Sequence, residues 1–391
     1  MEEAPLIPIP IPIPPTSIPN RNNNNNNKNN NNKCELIKLV LGCIYGSVLG
    51  DAYGLSTECL NKEQVLKAYG SNAIPFPGFL KTSHNSRWPK GDWTDESDQM
   101  IIALDSLLET GGKFDECNFA KRLHKWVTTG FAELGDTCGL GSTASSIILQ
   151  GQFTTNPYFV SEKTWIQTGR RQANNGAITR SISAGLFNHE NLSLVSSNAG
   201  NLAKTTNFDQ RCVTSNMAIA CAISILLNNV ECKKISISGT SIGGGPSSVH
   251  SGSSKSCSSE EVEHLIEEVV GKCATTMTTI TERVEFEEIL YNTSLESLSL
   301  SSPDSVTYVF KALGAGFWGL RSHYSFKDTL NYVIREGGDS DCNASLCGAL
   351  LGCRLGYSQL PKDWLQVLPF KEWLDFKVVK LVDFLKRNRK N

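Results

Sequence analysis

LIKLVLGCIYGSVLGDAYGL, residues 36–55, is the most apolar stretch of the chain and the one whose reading decides the fold. Leu36, Leu39, Val40, Cys43, Ile44 and Val48 recur at steps of three and four, the spacing that lines one face of an α-helix. Lys38, Asp51 and four glycines interrupt the run, which a membrane-spanning helix would tolerate poorly, so the stretch predicts a buried helix and no membrane span. The same period returns in Met100, Ile101, Leu104, Leu107 and Leu108, in Phe119, Leu123, Trp126 and Val127, and in Val306, Val309, Phe310 and Leu313. Period-two alternation is almost absent and no repeat of fixed length is visible. The expectation is an all-α, compact multi-helix domain over residues 34–391, with its glycine clusters in loops at helix ends.

Outside that domain the composition changes. Residues 1–33 are Pro-Ile repeats followed by an asparagine run, with almost no side chain that could build a core, and are expected to be a disordered tail. A Ser/Gly-rich segment at about 236–260 lies between periodic stretches and reads as a surface insertion in one domain. The last stretch, from Phe376 to Arg389, is amphipathic and reads as a packing helix. Of the 391 residues, 40% are hydrophobic, and 37 basic against 39 acidic side chains give a net charge of -2. That balance argues against nucleic acid or an anionic membrane as partner. The acidic, Pro-Ile-rich start does not resemble a signal peptide, and the 13 cysteines include no CxxC pair. They read as reduced core thiols in a cytoplasmic, monomeric protein.

Two acidic clusters carry the chemistry. Gly91-Asp92-Trp93-Thr94-Asp95-Glu96-Ser97-Asp98 and Gly337-Gly338-Asp339-Ser340-Asp341-Cys342-Asn343 each sit on glycine just before a helical run. Acidic residues there can simply cap a helix and complement its dipole. Two such starts could also converge on a pair of hard cations, because Mg²⁺ prefers carboxylates, hydroxyls and water. Asp339, Asp341 and Asn343 mimic the opening of an EF-hand loop, but Ala344 stands where that loop needs glycine and Leu350 where it needs a bidentate glutamate. No HExxH occurs, and Gly243-Gly244-Gly245 lacks the lysine of a P-loop.

Four segments, in this order and at wide separation, resemble the ADP-ribosylglycohydrolases, the family of the dinitrogenase reductase-activating glycohydrolase. YGSVLGDAYGLSTE (45–58) is similar to the family's early helix and loop. GDWTDESDQM (91–100) resembles its first metal motif, NNGAITR (174–180) its substrate loop, and GGDSDCNASLCGALLG (337–352) its second metal motif. The resemblance spans about Cys34 to Tyr357. It implies a Mg-dependent hydrolase with two Mg²⁺ ions in a cleft, Mn²⁺ being an alternative ion, that cleaves the glycosidic bond between ADP-ribose and an acceptor on a protein or a small-molecule conjugate.

Carried over residue by residue, the resemblance makes Thr94, Asp95, Glu96, Asp339, Asp341 and Cys342 the metal set. Glu58 and Asp95 become the catalytic candidates, with Asp51 expected to hold the loop that presents Glu58. Gly139, Gly141 and Ser142 resemble the turn facing the phosphates, and Asn175, Gly176 and Ala177 the loop lining the ADP-ribose pocket. Three positions depart from the pattern: Glu96 stands for a second aspartate, Cys342 for threonine or serine, and Asn207 for a histidine. The competing reading is a module of the same fold that binds ADP-ribose without turnover.

Overall fold

The computed structural model describes residues 24–134, 140–236 and 258–388, apart from the side chains of 24–32, 142–143, 230–236 and 388. Most of the segment read as an insertion therefore lies outside the described residues. Among the described residues sixteen α-helices follow one another. They are α1 (Asn24–Gly54), α2 (Lys62–Tyr69), α3 (Asp95–Glu109), α4 (Glu116–Thr129), α5 (Ser142–Ile148), α6 (Pro157–Gln167), α7 (Arg180–Leu186) and α8 (Leu192–Lys204). The second half holds α9 (Gln210–Ser236), α10 (Ser259–Cys273), α11 (Ile280–Tyr291), α12 (Val309–Arg321), α13 (Phe326–Arg335), α14 (Ser340–Leu355), α15 (Lys362–Val367) and α16 (Lys371–Asn388). Among the described residues there is no strand, only two isolated bridges, Asn61 with Gly337 and Asn174 with Tyr308. The fold is all-α, as the periodicity predicts.

The seam between α1 and α14 organises the rest. Glycines 42, 46 and 50 of α1 face Gly352, Gly348 and Ala344 of α14 in antiparallel order. A Cβ placed on any of the three would stand 2.0–2.2 Å from a carbonyl oxygen of the facing helix. The four-residue spacing that makes a membrane span improbable is thus a backbone-to-backbone contact inside the protein. Leu36, Val40, Ile44, Val48 and Leu49 turn the remaining faces of α1 into the main core. Two helical segments, Lys33–Gly54 and Gln210–Asn229, are long and apolar enough to cross a bilayer, and 89% and 83% of those windows are buried in the fold. A smaller cluster includes Phe119, Leu123 and Trp126 of α4 and Val195 and Leu202 of α8. On α16, Leu374, Val378 and Leu381 are buried, so the final amphipathic stretch packs on the body.

Two boundaries differ from the sequence reading. Helix α1 begins at Asn24, inside the stretch assigned to the tail, because adding a turn to an existing helix costs far less than nucleating one. Val306 is not in α12, which starts at Val309; a turn opened by Pro303 precedes it.

Candidate active site

Three chain segments meet at one end of the α1–α14 seam. The loop leaving α1 runs beside the turn that enters α14: Cys59 N donates to Gly338 O at 3.0 Å and Gly338 N to Leu60 O at 2.7 Å. Gly337 and Gly338 have φ of 68° and 80°, and a Cβ on them would lie 2.2 Å from Leu60 O and 2.3 Å from Leu300 O. Glycine is required at both on conformational and steric grounds. This pairing brings carboxylate oxygens of Glu58, Asp339 and Asp341 within 4.8 Å of one another.

The third segment is the N-terminus of α3, and Asp51 of α1 holds it. Its carboxylate accepts from Thr94 N (3.1 Å), Thr94 Oγ1 (2.9 Å), Ser97 N (2.9 Å) and Ser97 Oγ (2.6 Å). Asp51 therefore caps α3 from a neighbouring helix and does not carry the Glu58 loop, which corrects the expected role. The same Thr94 hydroxyl lies 3.2 Å from Asp341 Oδ2. Asp95 accepts from Gln99 Nε2 at 2.7 Å, and Gln99 Oε1 accepts from the fully buried Arg180 at 2.9 Å. Glu96 accepts from Thr179 Oγ1 at 2.8 Å. Not every acid of this motif faces the cleft. Asp98 accepts from the indoles of Trp93 (2.8 Å) and Trp126 (2.9 Å) and belongs to the packing.

A cleft of about 820 Å³ opens above these groups, within the range of small-molecule sites. Glu58, Asp95, Glu96, Asp339 and Asp341 all lie on its wall. Asn175 and Gly176 do too, and Asn175 Nδ2 donates to Asp339 Oδ2 at 2.8 Å. Their loop is fixed by Asn175 N to Thr307 O (2.9 Å), by Val309 N to Ala173 O (3.0 Å) and by Asn207 Nδ2 to Asn174 Oδ1 (2.7 Å). Asn207, the residue standing for a histidine, is thus an anchor of the substrate loop. Gly141 reaches the rim, the backbone of Ser142 opens α5, and Gly139 lies outside the described residues. Ala177 is buried away from the cleft wall. Thr94 and Cys342 are also buried behind it, Thr94 between Asp51 and Asp341, and Cys342 near the charge of Glu96.

Crowding sets the electrostatics. Burial, then the charges of Glu58, Asp51 and Asp339, raises Asp95 to about 8. Burial followed by neighbouring carboxylates raises Glu96 and Asp341 well above the usual range, and burial raises Asp339. Asp51, despite its four donors, is pushed up to about 6 by burial. Burial lowers Arg180 to about 10 against the opposing pull of Glu96 and Asp95. Carboxylates packed so closely ionise together only if a cation balances them. The donors are oxygens, set around an open cleft, which is the chemistry of a hard divalent ion. Glu58, Asp339 and Asp341, with Asp95 and Glu96 beside them on the wall, could accordingly hold a hard divalent ion. Burial also raises the Cys342 thiol well above its ordinary value, and the residue lies off the cleft wall.

Three residues escape the motif reading. Arg180 closes NNGAITR and carries a signal, being an arginine in the otherwise uncharged run ITRSISAGL. His84, whose Nε2 lies 2.6 Å from Glu58 Oε2, carries none, since the pairing bridges a long loop. Arg211, on the cleft wall, donates to Asp209 through Nε at 2.9 Å and likewise depends on tertiary placement.

The family model described as ADP-ribosylglycohydrolase matches residues 33–390. An uncharacterised protein of Archaeoglobus fulgidus is 26% identical over 351 residues, 87% of this chain and 95% of its own. An ADP-ribosylarginine hydrolase of Serratia proteamaculans is 22% identical, over 86% of this chain and 77% of its own. An ADP-ribosyl-[dinitrogen reductase] glycohydrolase of Rhodospirillum rubrum is 22% identical over 85% and 90%. Among solved structures, a chain of an ADP-ribosylglycohydrolase-related protein complex superimposes with a TM-score of 0.59 at 20% identity, covering 90% of this chain and 99% of that one. This last likeness concerns the fold.

Proposed function

This chain belongs to the ADP-ribosylglycohydrolase family, and from that membership we propose that it removes ADP-ribose from arginine side chains of proteins in a reaction that depends on two Mg²⁺ ions. That it is a hydrolase of ADP-ribose linkages follows from the family; the acceptor, the ion and the residue roles are our reading. The observation that carries it is the convergence of Glu58, Asp339 and Asp341 within 4.8 Å, beside Asp95 and Glu96 on the wall of one cleft. Arginine is favoured as acceptor by the relatives named ADP-ribosylarginine hydrolase, and a protein substrate by the one named for ADP-ribosyl-[dinitrogen reductase].

Asp95, Glu96, Asp339 and Asp341, with the Thr94 hydroxyl, would hold the ions, and Mn²⁺ could replace Mg²⁺. When bound, the ions supply positive charge for the ribose hydroxyls and for a water. The protein's own groups do the positioning. Asn175 fixes Asp339 through its amide, and the Arg180–Gln99 relay fixes Asp95. Asp51 fixes the first turn of α3 on which Asp95 and Glu96 ride. Such preorganisation matters because departure of the acceptor leaves oxocarbenium character at the anomeric carbon, and nearby fixed carboxylates stabilise it. Glu58 and Asp95 are the candidates to take the proton of the attacking water. Gly141, with Gly139 and Ser142, would face the diphosphate through backbone N–H groups, while Asn175 and Gly176 line the ribose side.

Incubation of the purified protein with arginine-, serine- and O-acetyl-linked ADP-ribose, in Mg²⁺ and in EDTA, tests the reading. Free ADP-ribose from the arginine linkage in Mg²⁺ alone is the expected result. Release from another linkage instead would reassign the acceptor, and tight ADP-ribose binding with no release from any would establish the binding-module reading.

A further inference from the structure

Glu58 takes part in a second cluster that the hydrolytic reading leaves unused. Oxygen of Glu58, sulfur of Cys59 and an imidazole nitrogen of His84 lie within 4.8 Å of one another. Glu58 and Cys59 are on the cleft wall, Cys59 is exposed and the other two are half-buried, so an ion reaches them from solvent. The segments that bear them are braced. Cys59 N is bonded to Gly338 O, while the turn carrying His84 is pinned by the buried Asn85, which accepts from Thr82 N (2.8 Å) and donates to Leu80 O (3.1 Å).

We propose that Glu58, Cys59 and His84 form a Zn²⁺ site at the mouth of the cleft, and that Zn²⁺ bound there inhibits the hydrolase by withdrawing Glu58 from Asp339 and Asp341. A thiolate, an imidazole and a carboxylate are zinc donors, and a hard ion such as Mg²⁺ discriminates against the first. At Zn–S of about 2.3 Å and Zn–N or Zn–O of about 2.0 Å, tetrahedral donors stand roughly 3.3–3.5 Å apart. The present cluster therefore needs shifts of about 1 Å. Cys59 releases its thiol proton, and the proton shared by His84 Nε2 and Glu58 at 2.6 Å leaves as the ion takes its place. The imidazole takes a proton up again from solvent on Nδ1, which here accepts from Arg87 at 3.1 Å, so Arg87 gives up that contact and retains its Nε bond to the His84 carbonyl at 3.2 Å. Water fills the fourth position. The inhibitory consequence rests on Glu58 acting in the cleft as proposed above, whereas the metal site does not.

Co²⁺ separates the two questions, because a cobalt–thiolate bond gives a near-ultraviolet charge-transfer band whether or not the protein hydrolyses anything. Titration of the full-length protein should give that band at one equivalent, displaced by Zn²⁺, absent from Cys59→Ser and weakened at least tenfold in affinity in His84→Ala. In Mg²⁺-supported turnover, micromolar Zn²⁺ should inhibit, and Cys59→Ser, measured against its own zinc-free rate, should need at least tenfold more Zn²⁺ for the same fractional inhibition. Absence of the band in the parent, or a band unchanged by Cys59→Ser, would overturn the site. Equal Zn²⁺ sensitivity of parent and Cys59→Ser would overturn the inhibition.

Discussion

Cys342 and Glu96, the two positions at which the acidic motifs depart from the family pattern, are buried neighbours, and the charge of Glu96 adds to burial in raising the Cys342 thiol. The longer acid and the smaller sulfhydryl share one buried space. Glu96→Asp alone shortens the arm by a methylene and pulls it from both Cys342 and Thr179. Cys342→Thr alone adds a methyl group to a fully buried position. Each single change should cost about 1 kcal/mol, and the double change should cost less than the sum by about 1 kcal/mol. Thermal melts and Mg²⁺ titrations of the four proteins measure this. Strict additivity would mean that the two side chains are not energetically coupled.

Gly54 links the seam to the site. A Cβ there would lie 2.4 Å from Asp341 Cα and from Ser340 O. Gly54→Ala should therefore push the start of α14 away, cost about 3 kcal/mol of stability and weaken Mg²⁺ binding at least tenfold. Stability and metal affinity of this variant decide the point, and normal affinity would show that the seam does not position Asp341.

Acids that hold the fold and acids that serve the ion should separate on mutation. Asp51→Ala leaves donors of Thr94 and Ser97 unpaired in the interior and should lower stability by about 2–4 kcal/mol. Asp341→Ala removes a crowded like charge and should leave the metal-free protein as stable as the parent, while lowering turnover at least about 100-fold. Denaturant unfolding paired with turnover assays checks both.

Metal-free stability should fall as pH rises. Asp95 is held at about 8 in the folded chain, against about 3.9 in an unfolded one. Between those values the folded state binds the proton that the unfolded state has released, so stability decreases with pH across that window. Mg²⁺ requires the ionised form and should raise Tm more at pH 8 than at pH 5.5. Melting curves at both pH values, with Mg²⁺ and with EDTA, test the sign; a Mg²⁺ shift larger at pH 5.5 would contradict it.

Residues 36–55 and the periodic runs after them sufficed for an all-α fold, because a buried helical face repeats in the sequence itself. Local order also places Asp95, Glu96, Asp339 and Asp341 at helix starts. The role of Asp51 was not legible, since its four donors come from a segment more than forty residues downstream, and a glycine-aspartate pair looks alike whether it caps its own loop or a neighbouring helix. That Cys342 lies off the cleft wall is not legible for a related reason. Successive residues at a helix start point in different directions, so membership of a motif does not put every side chain on the cleft. The contact of His84 with Glu58 depends on a long loop whose path no periodicity fixes.

The measurement that bears most directly on the account is equilibrium binding of Mg²⁺ and ADP-ribose to the parent and to Asp341→Ala. Two ions per parent chain, tighter ADP-ribose binding in Mg²⁺ than in EDTA, and loss of both effects in the variant are expected. Equal ADP-ribose affinity with and without metal, or the same ion stoichiometry in Asp341→Ala, would contradict the assignment of this acidic cleft as the metal centre of the hydrolase.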